Sequence, residues 1–499
     1  MIARQAQRRY FVNPASAEGH APVNTSGIKR GPIVAALIIG AFVAILNETL
    51  LNIAFPDLMQ EFNIEPSTIQ WLSTAYMLVI GILVPVTALL QQWFTTRQMF
   101  LSAMLLFFAG TIICSAAPSF EVLLVGRIVQ ALGTGLLLPV MMNTILAIYP
   151  PEERGGAMGM MGLVIMFGPA IGPTLAGLII DTMSWRWLFL LVVPLAAFSI
   201  IFAWIYLRNV SQITKPRVDI LSILLSSIAF GGLVYGFSKA GEGSWTSPEV
   251  VWTIVAGGIG LLLFIWRQLV VKEPILDLRA FRYSMFSLVT VLMLVLMMTL
   301  FSTMILLPLF LQNVLLMTAF KSGLILMPGG IINGIMAPVS GKLFDKFGPR
   351  VLVVPGLILM VFAIWLFTRL DADSTAGYVV TLHIILLIGI SLIMMPAQTS
   401  GLNQLPRSLY PHGTAIMNTL QQVSGAIGTA LFISIMSAGT KNYMKTVEDP
   451  TAPAAKVSGM VAGMHQAFWF AFGMGILALV IGFFVKRVKA PAEEKRQAA

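Results

Sequence analysis

The chain has 499 residues, of which 57% are hydrophobic and only 10% are charged, with a formal net charge of +10 and a mean hydropathy of +0.87. A soluble globular protein carries about a quarter charged residues, so this composition excludes a soluble fold. The single cysteine, Cys114, excludes a disulfide framework and a cysteine-based metal site. The basic residues are scattered through short loops, which favours membrane topology over nucleic-acid binding.

Residues 1–31 are polar and lack the apolar core of a signal peptide, so we interpret them as a cytoplasmic tail. The rest of the chain divides into 14 apolar runs of about the 20 residues that a helix needs to cross a bilayer. The alternating pattern of a membrane β-barrel does not occur. The sequence therefore predicts an all-α polytopic membrane protein. The predicted spans are 33–55, 69–91, 99–117, 122–148, 156–180, 186–207, 219–239, 250–270, 285–312, 320–341, 351–369, 377–399, 413–437 and 464–486.

The distribution of basic residues supports this number of spans. If the N-terminus lies inside, 23 of the 31 Lys and Arg residues fall in segments on the inner side and 7 on the outer side, while Arg127 lies within a span. Membrane proteins concentrate Lys and Arg in their cytoplasmic loops. One missed span would reverse the assigned side of every later loop, and the excess of basic residues on one side would disappear. We therefore expect a multi-pass protein of the cell membrane with both termini in the cytoplasm.

Two pairs of similar segments indicate an internal repeat. PVTALLQQWFTTR at 85–97 aligns without gaps with PVSGKLFDKFGPR at 338–350, an offset of 253, and AIG recurs at 170–172 and 426–428, an offset of 256. The offset covers eight spans, an even number, so both copies have the same orientation, as in transporters with parallel repeats. The predicted domains are an N-terminal tail (1–31), an N-terminal six-helix bundle (32–208), inserted helices seven and eight (209–284), a C-terminal six-helix bundle (285–488) and a tail (489–499).

The stretch LNETLLNIAFP at 46–56 places an acid, Glu48, within the first predicted span. An Asp at the centre of a membrane helix costs on the order of 2.5–3.5 kcal/mol, and such residues usually face the bundle interior and have a role. Burial favours the neutral form of the acid, so its proton would be exchangeable. Asn52 shares its helix face and Asn47 lies on the adjacent one. The alternative is structural, with a neutral Glu48 bonded to a neighbouring helix.

RIVQALGTG in span four begins with Arg127 and carries Gln130 one turn later. An arginine inside a membrane span must be paired or hydrated, and facing carboxylates or backbone carbonyls would satisfy it. Because Arg127 lies only a handful of residues from the start of its span, the alternative is a side chain that snorkels to the membrane interface.

GLVIMFGPAIGPTLAG at 162–177 lies in span five. Gly168 and Gly172 are four residues apart and form a smooth face that lets another helix approach closely. Pro169 and Pro173 remove backbone donors and can kink the helix. A close and deformable contact suits a gate, although the same spacing also serves ordinary packing.

The turn after span ten is tight and charged, and its candidate residues are Gly341, Asp345, Gly348 and Arg350. Asp345 could accept hydrogen bonds from a helix N-terminus or from an arginine and so form a breakable latch between helices. The alternative is a generic charged turn. The first-half copy keeps only the arginine, Arg97, and has Gln92 where the second has Asp345.

Span thirteen carries uncharged polar residues at mid-membrane depth, which with Asn47, Asn52 and Gln130 would line a substrate cavity. These candidates are Asn418, Gln421 and Gln422. No nucleotide-binding, HExxH, CxxC or GxSxG pattern stands out. We therefore expect a protein that is not an enzyme and that has no metal site and no cofactor.

On these motifs the chain resembles the major facilitator superfamily over about residues 30–490, and within it the fourteen-helix drug:proton antiporters of the EmrB/QacA type. LNETLLNIAFP is similar to the first-helix signature LDxTxxNxALP, with Asn47 at the aspartate position and the acid moved to Glu48. VGRIVQALGTG resembles the RxxQGxG motif, whose arginine is Arg127. FGPAIGPTLAG resembles the antiporter motif of exporters, and PVSGKLFDKFGPR resembles the loop motif GxLxDxxGxR. The LNET pattern looks closest to a subgroup that includes lincomycin-type efflux proteins of Gram-positive bacteria.

The resemblance implies export of amphipathic or cationic small molecules, driven by the proton gradient through alternating access of the two bundles. Glu48 and Arg127 would couple the protons, and protonation of Glu48 from outside would weaken drug binding. We expect a protein that acts as a monomer in the bilayer of a bacterial cell and does not bind nucleic acid. An exporter of an endogenous lipid or metabolite remains open, as does a channel or a non-transporting membrane sensor.

Overall fold

The computed structural model describes residues 30–487, apart from 65, 70, 211–212, 214, 216–217, 243–244 and 450–451. The predicted C-terminal tail and all but the last two residues of the predicted N-terminal tail lie outside the described residues. Within the described part, the regular structure consists of helices without any strand.

Fourteen helices in the described part are long and apolar enough to cross a membrane, as the sequence predicts. In chain order they are α1 (Arg30–Leu50), α2 (Trp71–Trp93), α3 (Thr96–Ser115), α4 (Phe120–Ile148), α5 (Arg154–Thr182), α6 (Arg186–Tyr206), α7 (Ile220–Glu242), α8 (Pro248–Val270), α9 (Ser284–Asn313), α10 (Ala319–Phe347), α11 (Arg350–Phe367), α12 (Ala376–Asn403), α13 (Tyr410–Met444) and α14 (Pro453–Gly482).

Several helix ends differ from the predicted spans. The first α-helix ends at Leu50 rather than at residue 55, because the chain continues as a 3-10 turn (Leu51–Ala54) and a short helix (Phe55–Phe62). In contrast, α13 extends beyond both predicted limits, and α14 begins at Pro453 rather than at residue 464 but ends at Gly482 rather than at residue 486. Hydropathy locates only the apolar part of a helix, whereas the backbone hydrogen bonds continue into polar segments that water can solvate.

The two ends of the helix bundle differ in charge. An even number of spans places Arg30 and Arg487 on the same side of the membrane, and most basic residues of the loops lie there too. We call this side the basic face; it contains Arg30, Arg97, Arg154, Lys342 and Arg487. The other side is the opposite face, which contains Glu61, Arg186 and Lys239.

Contacts between the two six-helix bundles follow the predicted repeat. Met142 of α4 contacts Gln398 of α12, and Arg154 of α5 contacts Tyr410 of α13, and in both pairs the residues are 256 positions apart. Equivalent residues of two parallel repeats meet only where they lie on the pseudo-twofold axis between the repeats. The bundles are therefore related as the sequence offset indicates.

The most extensive contact between the bundles joins α5 to α10. Glycines let the two backbones meet near the basic face, where Gly155 packs against Gly341. A Cβ atom at Gly159 would lie 2.5 Å from the carbonyl oxygen of Ala337, closer than any side chain tolerates. These small residues hold the bundles together along one side of the central axis.

The interior of the protein is closed at the basic face. All residues of α12 from Ile393 to Asn403 are buried, so this end of the helix is covered around its whole circumference. Most of α4 near the same face is buried as well. The bundle ends therefore close against each other on this side of the membrane.

The two inserted helices have different surroundings. α8 is largely exposed on the surface of the bundle, whereas α7 packs against α2 of the first bundle and α13 of the second. Trp245, in the connection between α7 and α8, donates a hydrogen bond to Ser434 of α13. The insertion is therefore peripheral at α8 but bridges both bundles at α7.

Candidate functional site

Arg127 lies at the centre of a polar network inside the first bundle. Its side chain is 1% exposed, and its Nη1 donates hydrogen bonds to Oδ1 of Asn47 at 3.1 Å and to Oε1 of Gln130 at 3.0 Å. Two carbonyl dipoles thus solvate a charge that the membrane cannot. The side chain points into the bundle and does not snorkel, and it joins α1 to α4.

Two further helices complete this network. The guanidinium of Arg127 lies 3.9 Å from the ring centroid of Tyr76 on α2, and the Tyr76 hydroxyl shares a hydrogen bond of 2.7 Å with Thr134. On α3, Thr111 accepts a hydrogen bond from Nε2 of Gln130 at 2.8 Å. An arginine over an aromatic face gains a cation–π interaction that is strongest when both groups are desolvated.

The sequence did not point to Tyr76, Thr111 or Thr134. A single hydroxyl in an apolar run has no signature of its own, because its partner lies on another helix. The only available signal was that Tyr76 is the one tyrosine of its span.

Glycines allow α3 and α4 to approach closely enough for this network. A Cβ atom at Gly110 would lie 2.5 Å from the backbone nitrogen of Gln130, and one at Gly126 would lie 2.6 Å from Sγ of Cys114. Only glycine fits at both positions. The close contact fixes the position of Gln130 and, through it, that of Arg127.

Glu48 lies beside this network but forms no hydrogen bond with its described members. The residue is half-buried, interacts electrostatically with Arg127 and Tyr76, and receives no hydrogen bond from any described residue. The Nε of Arg127 likewise has no hydrogen-bond partner among the described residues. Because amide oxygens already solvate Arg127, the nearby Glu48 carboxyl group is not held by a hydrogen bond to the guanidinium.

The glycines of the predicted gating motif pack inside the first bundle. A Cβ atom at Gly168 would lie 2.7 Å from Cγ2 of Ile45, and one at Gly172 would collide with Oγ1 of Thr49. At these two glycines α5 therefore packs against α1, next to Glu48, and not against the other bundle. Pro169 follows Gly168 in the same helix. The side chains of Pro173 and Asn52 lie outside the described residues.

The polar residues of α13 belong to a second site at a different depth. Nδ2 of Asn418 and Nε2 of Gln398 both approach Sδ of Met142 at 3.8 Å, which joins α13 and α12 to α4. Met142 lies 15 residues after Arg127, or about 22 Å further along the helix. This amide cluster therefore lies near the basic face, and the Arg127 network lies towards the opposite face.

Some amide groups near this cluster are incompletely bonded. Among the described residues, Nε2 of Gln421 and Oε1 of Gln398 have no hydrogen-bond partner. Gln421 and Gln422 are both half-buried, about one turn further along α13 than Asn418. Unsatisfied buried amides are costly, so these groups are available to a bound molecule or to water.

Asp345 forms the predicted contact with a helix N-terminus. Its two carboxylate oxygens accept hydrogen bonds from the backbone N–H groups of Gly155 and Gly156, each at 2.8 Å. The carboxylate thus caps α5 of the first bundle from α10 of the second, where the helix dipole favours a negative charge. This contact links the bundles at the basic face.

The other residues of the loop motif shape the turn around Asp345. Gly341 packs against the backbone of Gly155, and Gly348 ends α10 with φ of +82°, which L side chains rarely adopt. Arg350 begins α11 and is exposed. Arg487 donates a hydrogen bond to the backbone carbonyl of Asp345 at 3.2 Å.

A second link at the basic face was not predicted. Arg154 is 2% exposed and its guanidinium donates hydrogen bonds to Oδ1 of Asn403 and to the hydroxyl of Tyr410, both at 2.8 Å. It also donates to the carbonyls of Leu146 and Tyr149. Arg154 falls between the predicted spans 122–148 and 156–180, and no local pattern distinguishes a buried arginine from a solvated one there.

The family model of the Major Facilitator Superfamily matches residues 37–429. The chain belongs to this superfamily. It is therefore a secondary transporter rather than an enzyme, and the two bundles with an inserted pair are a fourteen-helix form of the superfamily fold.

Two relatives from Gram-positive bacteria are similar along nearly their whole length. The lincomycin resistance protein LmrB of Bacillus subtilis is 54% identical over 460 residues, which cover 92% of this chain and 96% of the relative. The protein of the same name from Listeria monocytogenes is 51% identical over 93% of this chain and 98% of the relative. The multidrug resistance protein Stp of Mycobacterium tuberculosis is more distant, at 26% identity over 86% of this chain and 83% of the relative.

Two solved structures share the fold at low sequence identity. The human organic anion transporter MFSD10 (TETRAN) superposes with a TM-score of 0.67 and 12% identity over 90% of this chain and 99% of that chain. The proton:xylose symporter XylE superposes with a TM-score of 0.63 and 14% identity over 92% and 96%. Both are transporters of the same architecture, and at these identities the likeness concerns the fold alone.

Proposed function

We propose that this transporter exports small-molecule drugs from a bacterial cell in exchange for protons, and that lincomycin is among its substrates. The extensive similarity to lincomycin resistance proteins supports the substrate class. The observation that carries the proton coupling is the half-buried Glu48 carboxyl next to the buried guanidinium of Arg127.

The proton step depends on what Arg127 can stabilise. A deprotonated Glu48 is attracted to the guanidinium, whereas a protonated Glu48 leaves Arg127 to its amide partners Asn47 and Gln130. Thr49, the next residue after Glu48, packs against Gly172 of α5. A change in the position of Glu48 would therefore also move α5, the helix that makes the main contact between the bundles. Protonation can thereby alter the balance between the two transporter states.

The remaining polar candidates would serve the substrate. Asn418, Gln421 and Gln422 on α13 offer neutral donors and acceptors towards the basic face. Asn52 is a further candidate from the sequence motif LNETLLNIAFP. Amphipathic drugs would place their hydrogen-bonding groups here and their apolar parts against the methionines and phenylalanines of the same helices. Lincomycin would be held by such uncharged groups.

In this proposal the basic face is cytoplasmic and both termini lie inside the cell, because Lys and Arg are concentrated on that side. The Asp345 and Arg154 contacts then close the cytoplasmic gate, which corresponds to the state that releases drug outside. One chain contains both bundles, so a monomer is sufficient. The proton gradient drives the cycle without a cofactor.

The experiment has two readouts. Expression in a lincomycin-sensitive bacterium should raise its resistance, and proteoliposomes with an imposed pH gradient should accumulate lincomycin. Glu48→Gln should slow gradient-driven uptake roughly tenfold or more, whereas Glu152→Gln, an exposed acid on the basic face, should not. Resistance without any dependence on the gradient would reject proton coupling, and gradient-driven transport of other compounds alone would reject lincomycin.

A further inference from the structure

The first repeat contains a counterpart of the Asp345 contact. Gln92 at the end of α2 is the equivalent of Asp345, 253 positions earlier, and His412 near the start of α13 is the equivalent of Gly156, 256 positions later. In the structure, Nε2 of Gln92 lies 3.5 Å from Nε2 of His412. The degenerate copy of the loop motif therefore still links the two bundles at the basic face, but through an amide and an imidazole.

The hydrogen bonds around His412 define its protonation state in this contact. Nδ1 of the ring lies 2.9 Å from the carbonyl oxygen of Ile275, so Nδ1 must carry a proton and donate. Nε2 is then the acceptor of the neutral ring. The amide nitrogen of Gln92 supplies the donor, and it also donates to the carbonyl of Ala88 at 3.1 Å. The ring is buried, with 8% of the residue exposed.

We propose that His412 is a second proton-responsive group of this transporter: its neutral ring holds α2 and α13 together at the basic face, and its protonation releases them. Nothing in this step requires Glu48, which lies towards the other end of the protein. The assignment of the basic face to the cytoplasm rests on the proposed function, but the release itself does not.

Protonation changes the contact in one direction only. A charged imidazole carries a proton on both nitrogens, so its Nε2 would face the amide nitrogen of Gln92 donor against donor. If the amide of Gln92 rotated to present its oxygen, that group would lose the bond to Ala88. His412 also lies in the first turn of α13, where the positive end of the helix dipole opposes a second positive charge.

The charged groups near the ring are an acid, which favours the charged imidazole, and basic residues that accompany it. The segment after α8 contributes Asp277, which interacts electrostatically with His412 and is paired with Arg279 at 3.8 Å. Asp277 also accepts a hydrogen bond from the backbone nitrogen of Arg279. From the connection before α7, the backbone nitrogen of Lys215 donates to the carbonyl of Gln92 at 3.1 Å and brings a further cation to this region.

Spin labels on the two sides of the contact can test the release. Phe94, just after α2, and Ser408, just before α13, are both exposed, and the native Cys114 is buried and will not be labelled. Double electron–electron resonance on Phe94→Cys/Ser408→Cys in lipid nanodiscs, without drug, should show a shift to longer distances between pH 8 and pH 5.5. The range reaches a full unit below the ordinary pKa of histidine, about 6.5, because burial and the helix N-terminus both oppose a charge on this ring.

Two substitutions in the labelled protein should separate a proton-responsive role from a structural one. His412→Asn can keep the donor to Ile275 but does not titrate, so the pH-dependent shift should disappear. Gln92→Glu supplies an acceptor for the charged ring, so the distance should now shorten at pH 5.5. A separate label pair, Glu152→Cys/Lys346→Cys, lies on either side of the Asp345 contact. The distance between these two labels measures whether that contact between the bundles is open or closed.

The outcomes are distinct from those of the transport assay. An equal pH shift in the wild type and in His412→Asn, or a shift of the same sign in Gln92→Glu, would overturn the proposal. If His412→Asn does not yield a monodisperse protein, His412→Gln replaces it with the same expectation. A protein that shows the predicted shifts but transports no drug would contradict the proposed function and leave the role of His412 standing.

Discussion

Arg154 of the first bundle donates a hydrogen bond of 2.8 Å to the hydroxyl of Tyr410, its own equivalent in the second bundle. Among the described residues, the hydrogen-bond partners of this buried cation are neutral oxygens, namely those of Asn403, Tyr410 and two backbone carbonyls. Breaking a buried ion pair would leave two uncompensated charges, whereas breaking these bonds exposes a single cation that water can solvate. The closed basic face is therefore held by bonds that can be opened reversibly.

Tyr410→Phe should weaken this closure. The substitution keeps the ring beneath the guanidinium but removes one hydrogen bond to a charged group, worth about 1.5–3 kcal/mol. We expect a cysteine introduced at the buried Ser400 of α12 to react with a polar maleimide added at the basic face roughly tenfold faster than the same cysteine in the otherwise wild-type protein. Tyr378→Phe, at the opposite end of α12, should leave the rate unchanged; equal rates in both variants would contradict the assigned role of Tyr410.

Asp345→Asn should weaken the second link at the basic face. The side-chain oxygen of Asn can still accept a hydrogen bond from one of the two N–H groups, of Gly155 or Gly156, but its NH2 group would face the other N–H as a second donor. The substitution also removes the negative charge that the N-terminus of α5 favours. A charge in this position is worth about 0.3–1 kcal/mol, and up to roughly 2 when partly buried. The label pair at Glu152 and Lys346 should therefore show a larger open population at pH 7.5. The exposed Asp373, at the opposite face, provides the control Asp373→Asn, and an unchanged distance in Asp345→Asn would exclude a latch.

Much of the fold follows from properties that the sequence displays locally. Span number, charge asymmetry and the 256-residue offset depend on hydropathy, Lys and Arg counts and direct alignment, and the structure contains the same fourteen helices and repeat. The contact of Asp345 with a helix N-terminus could be anticipated because a carboxylate in a tight turn has few other partners.

The parts that could not be predicted depend on which helices are neighbours. Gly168 and Gly172 showed a smooth face, but nothing in their spacing indicated that α1 rather than the other bundle would cover it. Tyr76 and Arg154 carry ordinary local patterns, and their partners lie on distant helices. These contacts depend on how helices that are distant in the sequence pack together, and this packing cannot be read from a single sequence.

Asn47→Asp should rescue the loss caused by Glu48→Gln. Asn47 rather than Glu48 makes the hydrogen bond to Arg127, so an acid at position 47 would meet the guanidinium directly and could carry the proton in place of Glu48. We expect the double variant to recover a large part of the gradient-driven uptake that Glu48→Gln loses. Uptake in proteoliposomes at matched protein density measures this, with Asn47→Asp alone as the reference. A folded double variant that stays as slow as Glu48→Gln would mean that position 48 itself is required.

Gly172→Ala should destabilise the junction between α5 and α1. The new methyl group would collide with Oγ1 of Thr49, a hydroxyl already bonded to the carbonyl of Leu46 at 2.9 Å. Overpacking of this kind typically costs about 1–3 kcal/mol. The melting temperature in detergent should fall, whereas Gly258→Ala in α8, where the added carbon would point into open space, should not lower it. Equal melting temperatures would show that α5 shifts to accept the methyl group.

Glu61 at the opposite face should contribute stability that depends on pH. Burial raises the pKa of its carboxyl group, but hydrogen bonds from Trp185 at 2.6 Å and Arg186 at 2.8 Å outweigh this effect and hold the pKa below its usual value. A carboxyl group with a depressed folded-state pKa stabilises the fold above its unfolded pKa of about 4.3, and the contribution is lost as the pH falls through the folded value.

Glu61→Gln should therefore lower the melting temperature at pH 7 and have little effect at pH 3. The side chain is 40% exposed, so the contribution at pH 7 is reduced by solvent screening to a few tenths to about 1 kcal/mol. Melting curves of the wild type and the variant across pH 3–7 test this, with the exposed Glu448 at the same face providing the control Glu448→Gln. A difference between the wild-type and Glu61→Gln melting temperatures that is constant with pH would assign the effect to packing against Trp185 instead of charge.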